Sequence, residues 1–156
     1  MKNGIGLLIV ATVIFTAAFA CSMGTANMSS FKTSKDKEGK QETSSFKAGE
    51  TLYASAVVSN SSDKVTVKFT LVADDAPGLK KGDTAPGSEV KVELPGSGEA
   101  QYHLTIPADF KGGKFTINAD MLNETGEKKD NKSASVTIAP GSSAPSSTTS
   151  DDKDDK

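Results

Sequence analysis

Residues 65–71 read VTVKFTL. Val65, Val67, Phe69 and Leu71 fall on one side of an extended chain, and Thr66, Lys68 and Thr70 fall on the other. A period of two is the signature of a strand with one face in a core and one in solvent. Turn formers bound it: Asn60-Ser61-Ser62-Asp63 on one side, and a loop with three glycines and two prolines, Ala73 to Ser88, on the other. The pattern repeats outward from there. Upstream, Leu52, Ala54, Ala56 and Val58 alternate with Tyr53, Ser55, Val57 and Ser59. Downstream, Val90, Val92 and Leu94 alternate with Lys91 and Glu93, until Pro95-Gly96-Ser97-Gly98 ends the run. Tyr102, Leu104 and Ile106 form the next face, stopped by Pro107. Gly112-Gly113 introduces Phe115, Ile117, Ala119 and Met121, and Asn123 to Lys129 turns the chain. Val136 and Ile138 lie in a final strand that stops at Pro140.

A first strand is expected around Met28 to Thr33, followed by a charged turn or exposed loop from Ser34 to Thr43. No window after the N-terminal apolar run has a helical period. Short strands at regular spacing predict an all-β fold: a single antiparallel two-sheet sandwich of about seven strands. The inward set of about twenty apolar side chains is enough for one core and too few for two.

The 156 residues carry 18 lysines, no arginine and a formal net charge of -2. Bidentate recognition of phosphate or guanine leans on arginine. Tryptophan is absent and aromatics are sparse, so a stacking platform for bases is not expected. No nucleic-acid partner is expected.

The N-terminal segment has its own grammar. Lys2 precedes an apolar run, Ile5 to Ala20, that is shorter than the ~20 residues of a spanning helix and ends in small residues. Residues 1–20 read as a signal peptide. Ala18-Phe19-Ala20 fits the small-x-small pattern of an ordinary signal peptidase. The same residues followed by Cys21, the only cysteine, resemble the lipobox of bacterial lipoproteins. That resemblance implies a diacylglyceryl group on Cys21, which becomes the mature N-terminus. By the same resemblance, Ser22 after it is compatible with transfer to the outer membrane or the cell surface in a two-membrane bacterium, and with the outer face of the plasma membrane in a one-membrane bacterium. Residues 21–27 would be the lipidated tether, with the charged stretch to Thr43 as a further candidate spacer. Residues 140–156, PGSSAPSSTTSDDKDDK, read as a low-complexity disordered tail.

The runs VSNSSDKVTVKFTL and YHLTIPADFKGGKFTINADML resemble bacterial immunoglobulin-like or fibronectin-type-III-like modules over about residues 28–139. The cysteine pair and core tryptophan of antibody-type domains are missing. The resemblance therefore implies an immunoglobulin-like fold and no particular site.

Candidates for chemistry are few. His103, the single histidine, lies between Tyr102 and Leu104 and is expected to face solvent. Gly96-Ser97-Gly98 is a turn and not a nucleophile elbow. Asp74, Asp75 and Asp83 share the long loop, where calcium could find oxygen ligands, but Lys80 and Lys81 sit between them and no EF-hand spacing is present. Glu89, Lys91 and Glu93 read as the outward face of a strand. The Asn-x-Ser/Thr triplets at Asn27, Asn60, Asn123 and Asn131 would be glycan acceptors in a eukaryotic secretory pathway and turn residues in a bacterium. No catalytic residue, metal ligand or cofactor is expected. The expected function is that of a non-enzymatic binding or structural module, held to the membrane through the lipid on Cys21 and meeting a protein partner in the cell envelope. A soluble secreted sandwich, such as a proteinase-inhibitor-like module, is the alternative, with a hydrolase third.

Overall fold

The computed structural model describes residues 25–141. Eight strands are present: β1 (Asn27–Ser34), β2 (Ser45–Lys47), β3 (Thr51–Ser59), β4 (Val65–Asp75), β5 (Val90–Leu94), β6 (Gly98–Thr105), β7 (Gly113–Leu122) and β8 (Lys128–Ala139). They form a three-stranded sheet in the order β1-β3-β6 and a five-stranded sheet in the order β2-β8-β7-β4-β5. All pairings are antiparallel except β2 with β8. The two sheets pack face to face in an all-β sandwich.

The core follows the alternation. Leu52, Ala54, Ala56 and Val58 of β3 face Val65, Val67, Phe69 and Leu71 of β4 and Phe115, Ile117, Ala119 and Met121 of β7, all buried. Tyr102 stacks on Phe69 with ring centroids 5.3 Å apart, and Phe31 tilts against the same ring at 6.4 Å. Small side chains at Ala54, Ala56, Ala100 and Ala119 leave room for these rings between the sheets.

Several elements differ from the sequence expectations. The strand β2 is an eighth, three residues long, placed where the chain crosses from one sheet to the other. The charged stretch from Lys35 to Thr43 is this crossing loop and not a spacer to a membrane. It is tied down by Thr43 N–H on Thr33 O (3.0 Å) and Lys35 N–H on Gln41 O (3.1 Å), while the Asp36 carboxylate accepts from Lys40 N–H (2.9 Å). The Lys40 N–H first, with the Gln41 N–H on the other carboxylate oxygen, holds the exposed Asp36 carboxyl below its ordinary pKa.

Asp74 and Asp75 lie in β4 rather than in the long loop, because the ladder to β7 runs on past Ala73↔Phe115, through a register shift, to Asp75↔Lys114. Lys128 and Lys129 belong to β8 and not to the turn before it. Val90 is exposed, and Val92 and Leu94 are only half-buried, since β5 is an outer strand paired only with Val65 to Phe69 of β4. Leu104 is half-buried as well, and Ile106 is buried just past the end of β6.

Candidate functional site

The strand directions sort the loops between two ends. Asn27 pairs with Ser59, Thr66 with Leu122 and Val58 with Gly98. The start of β1 therefore shares one end with the β3–β4, β5–β6 and β7–β8 turns. Ala139 pairs with Lys47, and Thr51 with Thr105. The end of β8 thus lies at the opposite end, with residues 76–89 and 106–112.

Each end has a recess. At the β1 end, one of about 380 Å³ with both polar and apolar walls lies among Thr25, Ala26, Asp63, Val65, Met121 and Asn123. Here Asn60 takes the left-handed backbone (φ 60°), and Asn123 Oδ1 accepts from Thr125 Oγ1 and Glu127 N–H, each at 2.8 Å. These two asparagines are turn residues, as the sequence suggests, whereas Asn27 and Asn131 lie in β1 and β8. At the β8 end, a recess of about 210 Å³ is almost wholly apolar, walled by Leu71, Leu79, Ala85, Leu104, Phe110 and Ile138.

The long loop over the apolar recess is locked at its far end by Ser88, which is fully buried. The Ser88 hydroxyl donates to Ala85 O (2.7 Å) and accepts from Leu71 N–H (3.2 Å). The Tyr102 hydroxyl donates to Ser88 O (3.1 Å) and so ties β6 to the loop that Ser88 fixes on β4, a polar contact inside an apolar core. Burial pushes the Tyr102 phenol up from its ordinary 10.0 to about 12. On the other flank the chain passes through Gly112 (φ +78°) and Gly113 (φ +143°), where a Cβ would meet Ile138 O at 2.7 Å and the Ala76 Cβ at 2.7 Å, respectively.

The residues singled out for chemistry do not converge. His103 is exposed on β6, its ring 6.3 Å from that of Tyr53. Asp74 accepts from Thr116 Oγ1 (2.8 Å), and Asp83 accepts from Lys80 N–H (3.0 Å). Among the described residues no three His, Cys, Asp or Glu side chains gather as a metal site would require. Glu89 and Glu93 are exposed, 3.9 Å from Lys68 and 2.7 Å from Lys64. Lys91 is exposed between them. Cys21 lies outside the described residues, as do residues 1–20 and most of the tail. Periodicity identified Tyr102 as a core residue but carried no sign of its hydroxyl's partner. Ser88 was the harder one to see, since a serine inside a Gly/Pro-rich loop has no pattern that marks it as buried.

No family model matches the chain, and no curated protein matches it significantly. Solved structures do. The C-terminal domain of wzt is 9% identical, with a TM-score of 0.50 over 75% of this chain and 75% of that one. A Niemann-Pick type C2 protein from Japanese carpenter ant is 16% identical, with a TM-score of 0.49 over 72% of this chain and 92% of that one. In beta-glucosidase from Listeria innocua, 13% identical with a TM-score of 0.44, the match takes 72% of this chain and only 16% of the enzyme. At such identities the likeness concerns the fold alone, an immunoglobulin-like sandwich, and for that the wzt domain is the supporting match.

Proposed function

We propose that this chain is a lipid-anchored, non-enzymatic module of the bacterial cell envelope, held by Cys21 and facing a protein partner with the end of the sandwich far from the anchor. The placement of the two ends carries the reading. Cys21 precedes Thr25 by four residues, which can span at most about 14 Å. The β1 end of the sandwich would then lie close to the bilayer. The ten residues of β7 extend about 33 Å, so the loop 76–89 would stand well clear of the headgroups, where a partner can reach it. Lys2 followed by the apolar run Ile5 to Ala20 and the small residues before Cys21 supports a leader that ends at the anchor. Two or three acyl chains on Cys21 give a stable anchor where one would not. Ser22 supports an address at the outer membrane or the cell surface.

Intact-mass measurement of the chain from envelopes tests this. A diacylglyceryl addition on a chain that begins at Cys21 is expected, and Cys21→Ser should move the folded protein into the soluble fraction. An unmodified mass would overturn the reading in favour of the soluble secreted alternative.

A further inference from the structure

The strand β6 is one margin of the three-stranded sheet. Its ladder to β3 runs from Thr51↔Thr105 to Val58↔Gly98 with no register shift. A long, regular margin is a template for another strand, and proteins usually blunt such margins with bulges, lysines, proline or shortness. The other margins here are blunted. β1 shifts register between Met28 and Ser30 and carries Lys32. β2 is three residues long and holds Lys47, and β5 is five residues long and holds Lys91. The part of β8 beyond β2 carries Lys128, Lys129 and Lys132. β6, with the sequence GEAQYHLT, has no lysine, proline or bulge.

The direction of its free groups follows from the ladder. Just past β6, Ile106 N–H donates to Glu50 O at 2.9 Å. Backbone groups alternate between the two sides of an antiparallel strand. Even-numbered residues of β6 therefore bond to β3, and Glu99, Gln101, His103 and Thr105 turn their N–H and C=O outward. The side chains of the same four residues are exposed.

We propose that β6 is the seam along which two copies of this chain pair, antiparallel, about a twofold axis at Gln101. In that register each Glu99 lies opposite a His103 of the second copy, twice across the axis. The neighbouring registers that also use the free groups oppose Glu99 to Thr105 or to Gln101 and give the carboxylate no basic partner. A shift by one residue would demand groups already bonded to β3. The contact is self-complementary, as a twofold dimer requires. It joins two three-stranded sheets into one of six strands in the order β1-β3-β6-β6-β3-β1.

Sedimentation equilibrium of the purified full chain in a density-matched detergent tests the seam. A dimer is expected. Gln101→Pro should give a monomer with an unchanged strand spectrum, since proline there deletes an N–H that faces the margin and none that bonds β3. Independently of whether that variant folds, Glu99→Lys should weaken the dimer about tenfold, and adding His103→Glu to the same chain should restore it by reversing the pair. A wild-type chain that stays monomeric, a dimer indifferent to Gln101→Pro, or a Glu99→Lys defect that His103→Glu does not repair would overturn the proposal.

Discussion

Replacing Tyr102 by Phe removes one oxygen atom from the middle of the sandwich. At neutral pH this deletes the hydrogen bond to Ser88 O and leaves a buried carbonyl without that donor, a loss of about 1 kcal/mol. At high pH the sign reverses. The phenol titrates at about 12 in the folded protein against its ordinary 10.0. Between those values the folded state keeps a proton that the unfolded state gives up, so stability is whole below pH 10 and falls as pH rises toward 12. A gap of that size is worth about 3 kcal/mol once both states have titrated. Wild type should therefore begin about 1 kcal/mol more stable than Tyr102→Phe and end less stable, the two curves crossing near pH 11. Urea unfolding followed by circular dichroism at a series of pH values from 8 to 12 reads this directly. The lysines lose their charge in both proteins, so the difference between the curves isolates Tyr102. A constant offset across the series would refute the buried, protonated phenol.

Two further substitutions probe the packing by urea or thermal unfolding. Phe69→Ala should cost about 3–5 kcal/mol, because the ring is fully buried and carries both Tyr102 and Phe31; a loss under about 1 kcal/mol would contradict that packing. Gly112→Ala should cost at least about 2 kcal/mol, since its φ of +78° places the new Cβ on backbone atoms of Ile138 and Pro140, whereas Gly49→Ala, with φ +86° and nothing within 4 Å, should cost about 1 kcal/mol. Equal losses at the two glycines would show that backbone conformation alone, without the close approach, sets the cost at Gly112.

How far the sequence could be read depended on what holds each strand. Where a strand lies between the sheets, burial writes a period of two into it, and β3, β4 and β7 were plain for that reason. Where hydrogen bonding alone makes the strand, no period exists. The first eight residues of β8, KKDNKSAS, bond to β7 while most of their side chains face solvent, so Lys128 and Lys129 read as part of a turn. β2 is three residues paired in parallel with a segment about ninety positions away, and nothing local announces it. Asp74 and Asp75 extend β4 because the ladder to β7 continues past a register shift to Asp75↔Lys114, a pairing invisible to periodicity. Val90, Val92 and Leu94 misled in the opposite sense. Their alternation is that of a strand, but a strand at the margin of the larger sheet has little of the smaller sheet to pack against. The exposed position of His103 was legible because both of its neighbours were apolar. The Tyr102–Ser88 contact was not, since it joins two elements through a loop that has no pattern.

The placement of the two chain ends also fixes how the domain would meet a mechanical load. A pull between residue 25 and residue 141 acts along the strands, drawing β1 away from β3 at one end and β8 away from β7 at the other. Both ladders are then strained in shear, their hydrogen bonds bearing the force together instead of opening one after another. A domain so connected can serve as a stiff strut between whatever holds its first strand and whatever grips its last.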